Sequence, residues 1–425
     1  MKLEASTFLF LLYIIFFTSM VCSFRPITSI SIALILLTGL IKNKIDSGSI
    51  FGPRLKNNLL ITCCIYYVVQ VVLIINSPNH DMMARHIELK ASLVIVPLAV
   101  CAGNYFNDVL YQRLMKYYVW IIAAAMLFCL LTAFYKYYFL QAGSSVFFYH
   151  ALVAPFKQHA IQVSILIFIG IVYLLENAKK GVYLQNRLLH FLFVFYLIGF
   201  IVLLSSKLVI VFTALCCMYY FLVSFRKTRF RLPALAILVT GLLMIVLVLT
   251  TKNQVSKRFN EIIHTNMDLV QQKQFDPGIY FDGLQFRLLQ WRFVKEILTE
   301  KNAWLTGVSD DAQILLDKKY VDTHMYQGNG TGTDRGYLGY NTHNTFLEAL
   351  LQSGVIGLAA FVLICIAIIQ LVVKKKGREL FFVVTLLLAY SLNESMLERQ
   401  YSITIFTFFP LFLYFSIGSA AKRSD

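Results

Sequence analysis

Runs of apolar residues recur along the whole chain and constrain its fold more than any other feature of the sequence. A helix needs about 20 such residues to cross a bilayer core of about 30 Å. Continuous runs favour helices, because barrel strands alternate polar and apolar residues over about ten positions. The sequence therefore predicts an all-α, polytopic membrane helix bundle of about 12 transmembrane helices. Their approximate spans are 7–24, 27–41, 59–75, 90–104, 117–139, 160–175, 188–204, 207–224, 233–250, 346–373, 380–392 and 401–418.

The overall composition supports a membrane protein. Hydrophobic residues make up 58% of the 425 residues and charged residues only 14%, whereas roughly 25% of the residues of a soluble domain are charged. A soluble fold could not bury this much apolar surface. No small-residue cleavage site follows the first apolar segment, so we expect an uncleaved helix there.

The net charge of +16 follows the membrane topology. With the N-terminus in the cytoplasm, twenty of the 38 Lys and Arg residues fall on the cytoplasmic side and seven in short outer connections. This bias is the positive-inside pattern of membrane proteins. We therefore expect both termini in the cytoplasm, and we expect the bilayer, not a nucleic acid, to be the partner of this basic chain.

One long connection, residues 251–344, separates the ninth and tenth apolar segments. It divides the chain into a membrane domain (1–250), a large extracytoplasmic loop with amphipathic helices (251–344) and three further helices (345–425). A transporter of inverted repeats should carry a matching interruption in its other half, and the sequence has none. The loop contains no cysteine, no carboxylate cluster and no His-x-x-x-His spacing, so we predict neither a metal nor a cofactor.

Within the loop, Asp282 and Gln285 have the spacing of a capping box and predict a helix that runs to about Glu300. On a helical wheel Arg287 lies in the middle of an apolar stripe. Either the arginine reaches past that stripe to the interface, or it faces an enclosed site and needs an anion there. The predicted stripe consists of Leu284, Trp291, Val294 and Leu298.

The loop ends at His343, directly before the tenth apolar segment. Thr345 and Glu348 have the spacing of a second capping box, which places His343 just before or at a helix N-terminus. The helix dipole there favours a neutral imidazole. Such a group can accept a proton from a sugar hydroxyl, although a simple helix cap is the alternative.

Other polar residues are weaker candidates for substrate binding. The glycine-rich stretch 328–336 lacks the Gly-Lys-Ser/Thr of a phosphate loop, so we predict a flexible loop that carries Arg335. Charges near a bilayer are unfavourable unless they are paired or functional. His159 before the sixth segment, and Glu394, Glu398 and Arg399 between the last two, therefore join the candidates. Glu398 and Arg399 alternatively satisfy local partners.

The stretch 343–358, His-Asn-Thr-Phe-Leu-Glu-Ala-Leu-Leu-Gln-Ser-Gly-Val-Ile-Gly-Leu, resembles the signature of the bacterial O-antigen ligase and polymerase family. In that family a histidine before Leu and Gly-x-x-Gly-Leu ends the large periplasmic loop. Arg287, Trp291 and Leu305-Thr306-Gly307-Val308 resemble the family's upstream arginine, tryptophan and Gly-Val stretch, and the twelve-helix layout is also similar.

A third family element is an arginine after serine near the outer end of a mid-chain helix. The corresponding stretch here is Leu204-Ser205-Ser206-Lys207, so lysine stands where the family has arginine. Lysine keeps the positive charge but loses the planar two-pronged grip on phosphate. Lys207 either binds substrate or anchors its helix at the membrane interface.

The resemblance implies a glycosyltransferase of the bacterial inner (cytoplasmic) membrane with its large loop in the periplasm. Its donor would be a glycan on undecaprenyl pyrophosphate, and its acceptor a hydroxyl of lipid A-core or of another glycan. In this scheme His343 deprotonates the acceptor, Arg287 and Lys207 hold the pyrophosphate, and metal-independent attack inverts the anomeric carbon. The alternatives are an O-antigen or exopolysaccharide polymerase, a protein acceptor, and a transporter or flippase of an anionic lipid-linked glycan.

Overall fold

The computed structural model describes residues 2–50, 52–75, 80–103, 105–178, 187–225, 239, 267–331 and 334–416. Helices dominate these ranges, and no strand occurs in them, so the predicted all-α class is confirmed. The helices are α1 (Lys2–Val21), α2 (Arg25–Ser47), α3 (Asn58–Ile74), α4 (His80–Gly103), α5 (Asp108–Phe139), α6 (Tyr149–Val153), α7 (Ala160–Asn177), α8 (Arg187–Leu203), α9 (Lys207–Phe225), α10 (Gly283–Glu300), α11 (Ala312–Asp322), α12 (Thr345–Lys375), α13 (Arg378–Ser391) and α14 (Gln400–Ser416).

Within the described residues, five helices are long and apolar enough to cross a membrane: α2, α4, α5, α7 and α12. Shorter apolar helices match other predicted segments, but the ninth segment, 233–250, lies outside the described residues. The count of twelve and the three-part division of the chain therefore stay predictions. Helices α4 and α5 begin at residues 80 and 108, well before the predicted starts at residues 90 and 117. Helical hydrogen bonding continues through polar turns, which a search for apolar runs leaves out.

Two hydrophobic cores organise the described residues. The larger runs through the bundle and surrounds α7, whose side chains are buried on nearly every face, as expected for a helix that is apolar all round. The smaller lies in the loop region, where α10 packs on α11 and on α12. Its fully buried members include Leu289, Phe293, Leu316, Tyr320 and Leu351.

Helix α10 confirms the predicted capping box. The Asp282 side chain accepts from the backbone N–H groups of Leu284 and Gln285, and the Gln285 side chain accepts from the Asp282 N–H. The helix ends at Glu300, as predicted. The predicted apolar stripe is confirmed for Val294 and Leu298, which are buried, and wrong for Leu284 and Trp291, which are 37% and 45% exposed. Packing against the loop's own core selects a neighbouring face, with Phe286, Leu289, Phe293 and Ile297.

Helix α12 is broken at Ser353 and Gly354, and loop residues occupy the break. Gly354 has φ of 59° and ψ of −159°, a conformation that only glycine adopts readily. The N–H of Val355 donates to Trp304 O at 2.9 Å, and the N–H of Val308 donates to Leu351 O at 2.8 Å. The loop backbone thereby satisfies polar groups that the break in the helix leaves free.

Both glycines at this joint are required by close backbone approach. A Cβ on Gly307 would lie 2.4 Å from the carbonyl carbon of Gln352, and one on Gly354 would lie 2.2 Å from Leu305 O. The sequence stretches 305–308 and 353–358 are thus two halves of one joint between the loop region and the bundle.

Replacing Gly307 with alanine should loosen this joint. Gly307 also has positive φ, of 71°, so Gly307→Ala combines a backbone clash with strain, and we expect a loss of about 1–3 kcal/mol of stability. Thermal unfolding of the purified protein in detergent measures the loss. The matched control is Gly199→Ala within α8, where the new methyl meets nothing within 4 Å. Equal melting temperatures for both variants would contradict the conclusion that close backbone approach at this joint requires a glycine.

Candidate functional site

His343 lies immediately before the N-cap of α12. Asn344, not Thr345, caps the helix, and its side chain accepts from the N–H groups of Phe346 and Leu347. The predicted Thr345–Glu348 capping box is therefore wrong. His343 has φ of 47°, a left-handed conformation that is uncommon for a residue with a Cβ and that turns the chain sharply into the helix.

Thr345 and Glu348, which the sequence predicted as capping residues of α12, instead bind neighbouring segments of the chain. The buried Glu348 carboxylate accepts from the backbone N–H of Thr342 at 3.1 Å and from its hydroxyl at 2.7 Å. The Thr345 hydroxyl donates to Glu394 O at 2.7 Å. These bonds fix the residues on both sides of His343 and the segment that carries Glu394.

The His343 ring contacts the Glu394 carboxylate, with 3.2 Å between Nδ1 and Oε2. An ionised carboxylate only accepts hydrogen bonds, so in the neutral form of the ring the hydrogen lies on Nδ1 and Nε2 is left to accept a proton. Burial opposes ionisation of Glu394, but the hydrogen bond from His343 and the nearby charges outweigh it and lower the pKa of Glu394. The pair therefore has the arrangement of a general base and its orienting carboxylate.

Arg287 approaches the other oxygen of the same carboxylate. Its Nη2 lies 4.0 Å from Glu394 Oε1 and donates to Asn393 O at 3.3 Å, while Nη1 donates to Gly283 O at 2.8 Å. Its buried Nε has no hydrogen-bond partner among the described residues. The Glu394 carboxylate thus serves as the counter-ion of the guanidinium, and some N–H groups of the guanidinium remain available to donate hydrogen bonds.

A cavity of about 940 Å³, the first cavity, brings Arg287, Glu394 and Lys207 together. Ser205, with φ of 54°, turns the chain between α8 and α9 and sets Lys207 at the first position of α9. His343 is not among the lining residues, but it contacts Glu394, which is. The lining of the first cavity also includes apolar side chains, among them Phe148, Ile161, Leu208 and Val211.

His159, Glu398 and Arg399 lie together at a second cavity, of about 480 Å³. Burial and the neighbouring His150 lower the pKa of His159 to about 4, so its ring is neutral at pH 7. Glu398 is bonded to Lys90, with 2.5 Å between Oε1 and Nζ. The side chain of Lys90 is completely buried and also donates to Leu397 O.

The remaining candidate, Arg335, lies elsewhere. Its side chain is exposed, and it lines neither cavity. Among its neighbours, the Asp334 carboxylate accepts from the Tyr326 hydroxyl at 2.6 Å and from the Gly336 N–H. The segment is therefore a surface turn. Within the described residues, no three His, Cys, Asp or Glu side chains are grouped so that they could hold a metal ion.

Removing only one partner of the Lys90–Glu398 pair should destabilise the protein. Lys90→Met leaves the Glu398 carboxylate without its cation, and we expect a loss of about 3–5 kcal/mol. The double variant Lys90→Met/Glu398→Gln should lose less, because no unpaired charge remains. Melting temperatures in detergent compare the two. Greater stability of the single variant would show that the pair does not support the segment around Glu394.

Comparison with known proteins gives one family. Residues 192–362 match the family model described as O-antigen ligase. The matched range begins within α8 and ends beyond the break in α12, so it includes Lys207, Arg287 and His343, while Glu394 lies outside it. A search of the curated proteins finds no match.

Proposed function

We propose that this chain is an O-antigen ligase-like membrane protein that transfers a glycan from undecaprenyl pyrophosphate to a hydroxyl of lipid A-core. The match of residues 192–362 to the O-antigen ligase family model supports this proposal. The observation that carries this proposal is the contact of Glu394 with both His343 and Arg287 at the edge of the first cavity. The site faces the periplasm of the bacterial inner membrane, and both chain termini are cytoplasmic. This orientation follows from the distribution of Lys and Arg.

The first cavity binds the donor. A lipid pyrophosphate needs cations at one end of its site and apolar surface at the other, and the first cavity has both. Lys207 and Arg287 hold the two phosphates. The polyprenyl chain leaves along Leu208 and Val211, the latter of which is 48% exposed on α9.

Transfer exchanges one bond to the anomeric carbon for another. The acceptor oxygen forms a bond to that carbon, and the bond from the carbon to the pyrophosphate oxygen breaks. The acceptor proton passes to Nε2 of His343, and the Glu394 carboxylate stabilises the imidazolium that forms. Arg287 and Lys207 stabilise the negative charge that develops on the departing undecaprenyl pyrophosphate. Attack opposite the leaving group inverts the anomeric configuration.

The His343→Ala and Arg287→Ala variants test this scheme directly. Each removes a group that acts in the transition state, so we expect transfer to fall by about 10²–10⁴-fold while the protein remains in the membrane at normal levels. Glycan transfer in membrane vesicles that contain the donor measures the effect. Lys295→Ala is the matched control, because this exposed cation lies on α10 with Arg287. Full activity of either site variant would refute the assigned role.

Glu394→Gln tests the tautomer. The amide can donate to Nδ1 of His343, which would move the ring hydrogen to Nε2 and remove the acceptor that the reaction needs. We expect a loss of about 10²–10⁴-fold in the turnover rate with little change in donor affinity. Steady-state kinetics at several donor concentrations separate the two effects. Unchanged turnover would show that Glu394 does not orient His343.

A polymerase of the same family would use the same site with a lipid-linked glycan as acceptor, and a flippase would use Arg287 and Lys207 as counter-charges. Deleting the gene and analysing surface glycans with lipid-linked intermediates distinguishes them. Loss of the ligase leaves bare core and long glycan on the carrier. Loss of a polymerase leaves single repeats on the core, and loss of a flippase keeps the intermediates inside the cell.

A further inference from the structure

Four cations border the second cavity, and each comes from a different part of the fold. All four side chains are exposed, and none forms a hydrogen bond or ion pair with another described residue. They come from the start of α2, from α4, from the turn before α7 and from the segment before α14. These residues are Arg25, Arg85, Lys157 and Arg399.

Their charge is not balanced within the cavity. Two carboxylates line it, those of Glu88 and Glu398, and Lys90 already neutralises Glu398. Four cations therefore face the single carboxylate of Glu88. An anion in the cavity would be attracted by several cations at once, which favours a multiply charged group such as a phosphate.

The floor of the second cavity is neutral, polar and held in place. Gln158 Nε2 donates to Met20 O at 2.9 Å, and the Tyr401 hydroxyl donates to the same oxygen at 2.7 Å. Gln162 Nε2 donates to Ser402 Oγ at 2.6 Å. These bonds join α1, α7 and α14, so the cavity is preformed around its cations.

The two cavities adjoin at a pair of histidines next to the proposed reaction centre. His150 lines the first cavity and His159 the second, and their ring centroids are 4.3 Å apart. The histidine pair therefore separates a molecule in the second cavity from the donor in the first, and His159 on the second cavity's side interacts electrostatically with Glu394 and His343.

We propose that the second cavity binds a phosphate group of the acceptor while the donor's pyrophosphate occupies the first cavity. This inference rests on the proposed function and adds to it the chemical class of the acceptor, a phosphorylated sugar. Arg25, Arg85, Lys157 and Arg399 bind the phosphate and set the distance from the acceptor hydroxyl to His343.

Binding of glucose 6-phosphate tests the inference, with glucose as the neutral comparison. The full chain is placed in nanodiscs of phosphatidylcholine, and calorimetric titration measures the affinity. We expect glucose 6-phosphate to bind and glucose not to bind. The double variant Arg85→Gln/Lys157→Gln should weaken the affinity for glucose 6-phosphate about 100-fold, or about tenfold for each lost charge-assisted contact. Lys207→Gln should leave this affinity unchanged. The matched control, Lys295→Gln/Lys318→Gln, removes two exposed cations from the loop region and should also bind normally.

Three results would overturn the inference. Normal binding by Arg85→Gln/Lys157→Gln would show that the second cavity is not the site, and lost binding by Lys207→Gln would place the phosphate in the first cavity. Loss of binding when phosphatidylglycerol is added to the nanodiscs would assign the cavity to a lipid headgroup. A separate variant tests the proposed function. His343→Ala should bind glucose 6-phosphate normally but lack glycan transfer. If this variant retained transfer, the proposed function would be refuted while the phosphate-binding inference would stand.

Discussion

The backbone joint between Gly307 and the break in α12 fixes Arg287 relative to His343, and the rest of the candidate site is arranged around these two residues. Broken helices leave backbone groups without partners, and here the loop supplies them through Trp304, Leu305 and Val308. Helix α10 carries Arg287, and the first half of α12 begins just after His343. The joint fixes the position of α10 relative to this half of α12. Any residue larger than glycine at either side would separate the two segments.

A second set of contacts brings the segment after α13 to the same place. Glu348 binds Thr342, Thr345 binds the backbone of Glu394, and the buried Lys90 binds Glu398. Because these groups are buried, removing one partner would leave an unsatisfied polar atom, which strongly favours the native arrangement. The outcome is that one carboxylate, that of Glu394, contacts both the histidine and the arginine.

The candidate site consists of two adjoining cavities with different linings. The first cavity combines cations with apolar side chains, whereas the second has exposed cations over a neutral floor. The histidine pair lies between them, and its member His159 interacts electrostatically with Glu394. A group-transfer enzyme needs two substrates at one reacting centre, and two adjoining cavities meet that need without requiring either substrate to leave first.

The sequence by itself determined the all-helical class and α10 with its capping box, because apolar periodicity and capping residues act locally. It also singled out His343, Arg287 and Lys207, because their motifs are short and contiguous. Only the tertiary structure decided which face of α10 is buried, that Glu348 binds Thr342, and that Glu394 joins His343 to Arg287. The contacts of Glu394 connect residues about 50 to 100 positions apart, and Glu348 binds a residue outside its own helix. A spacing rule within one helix contains no information about such contacts.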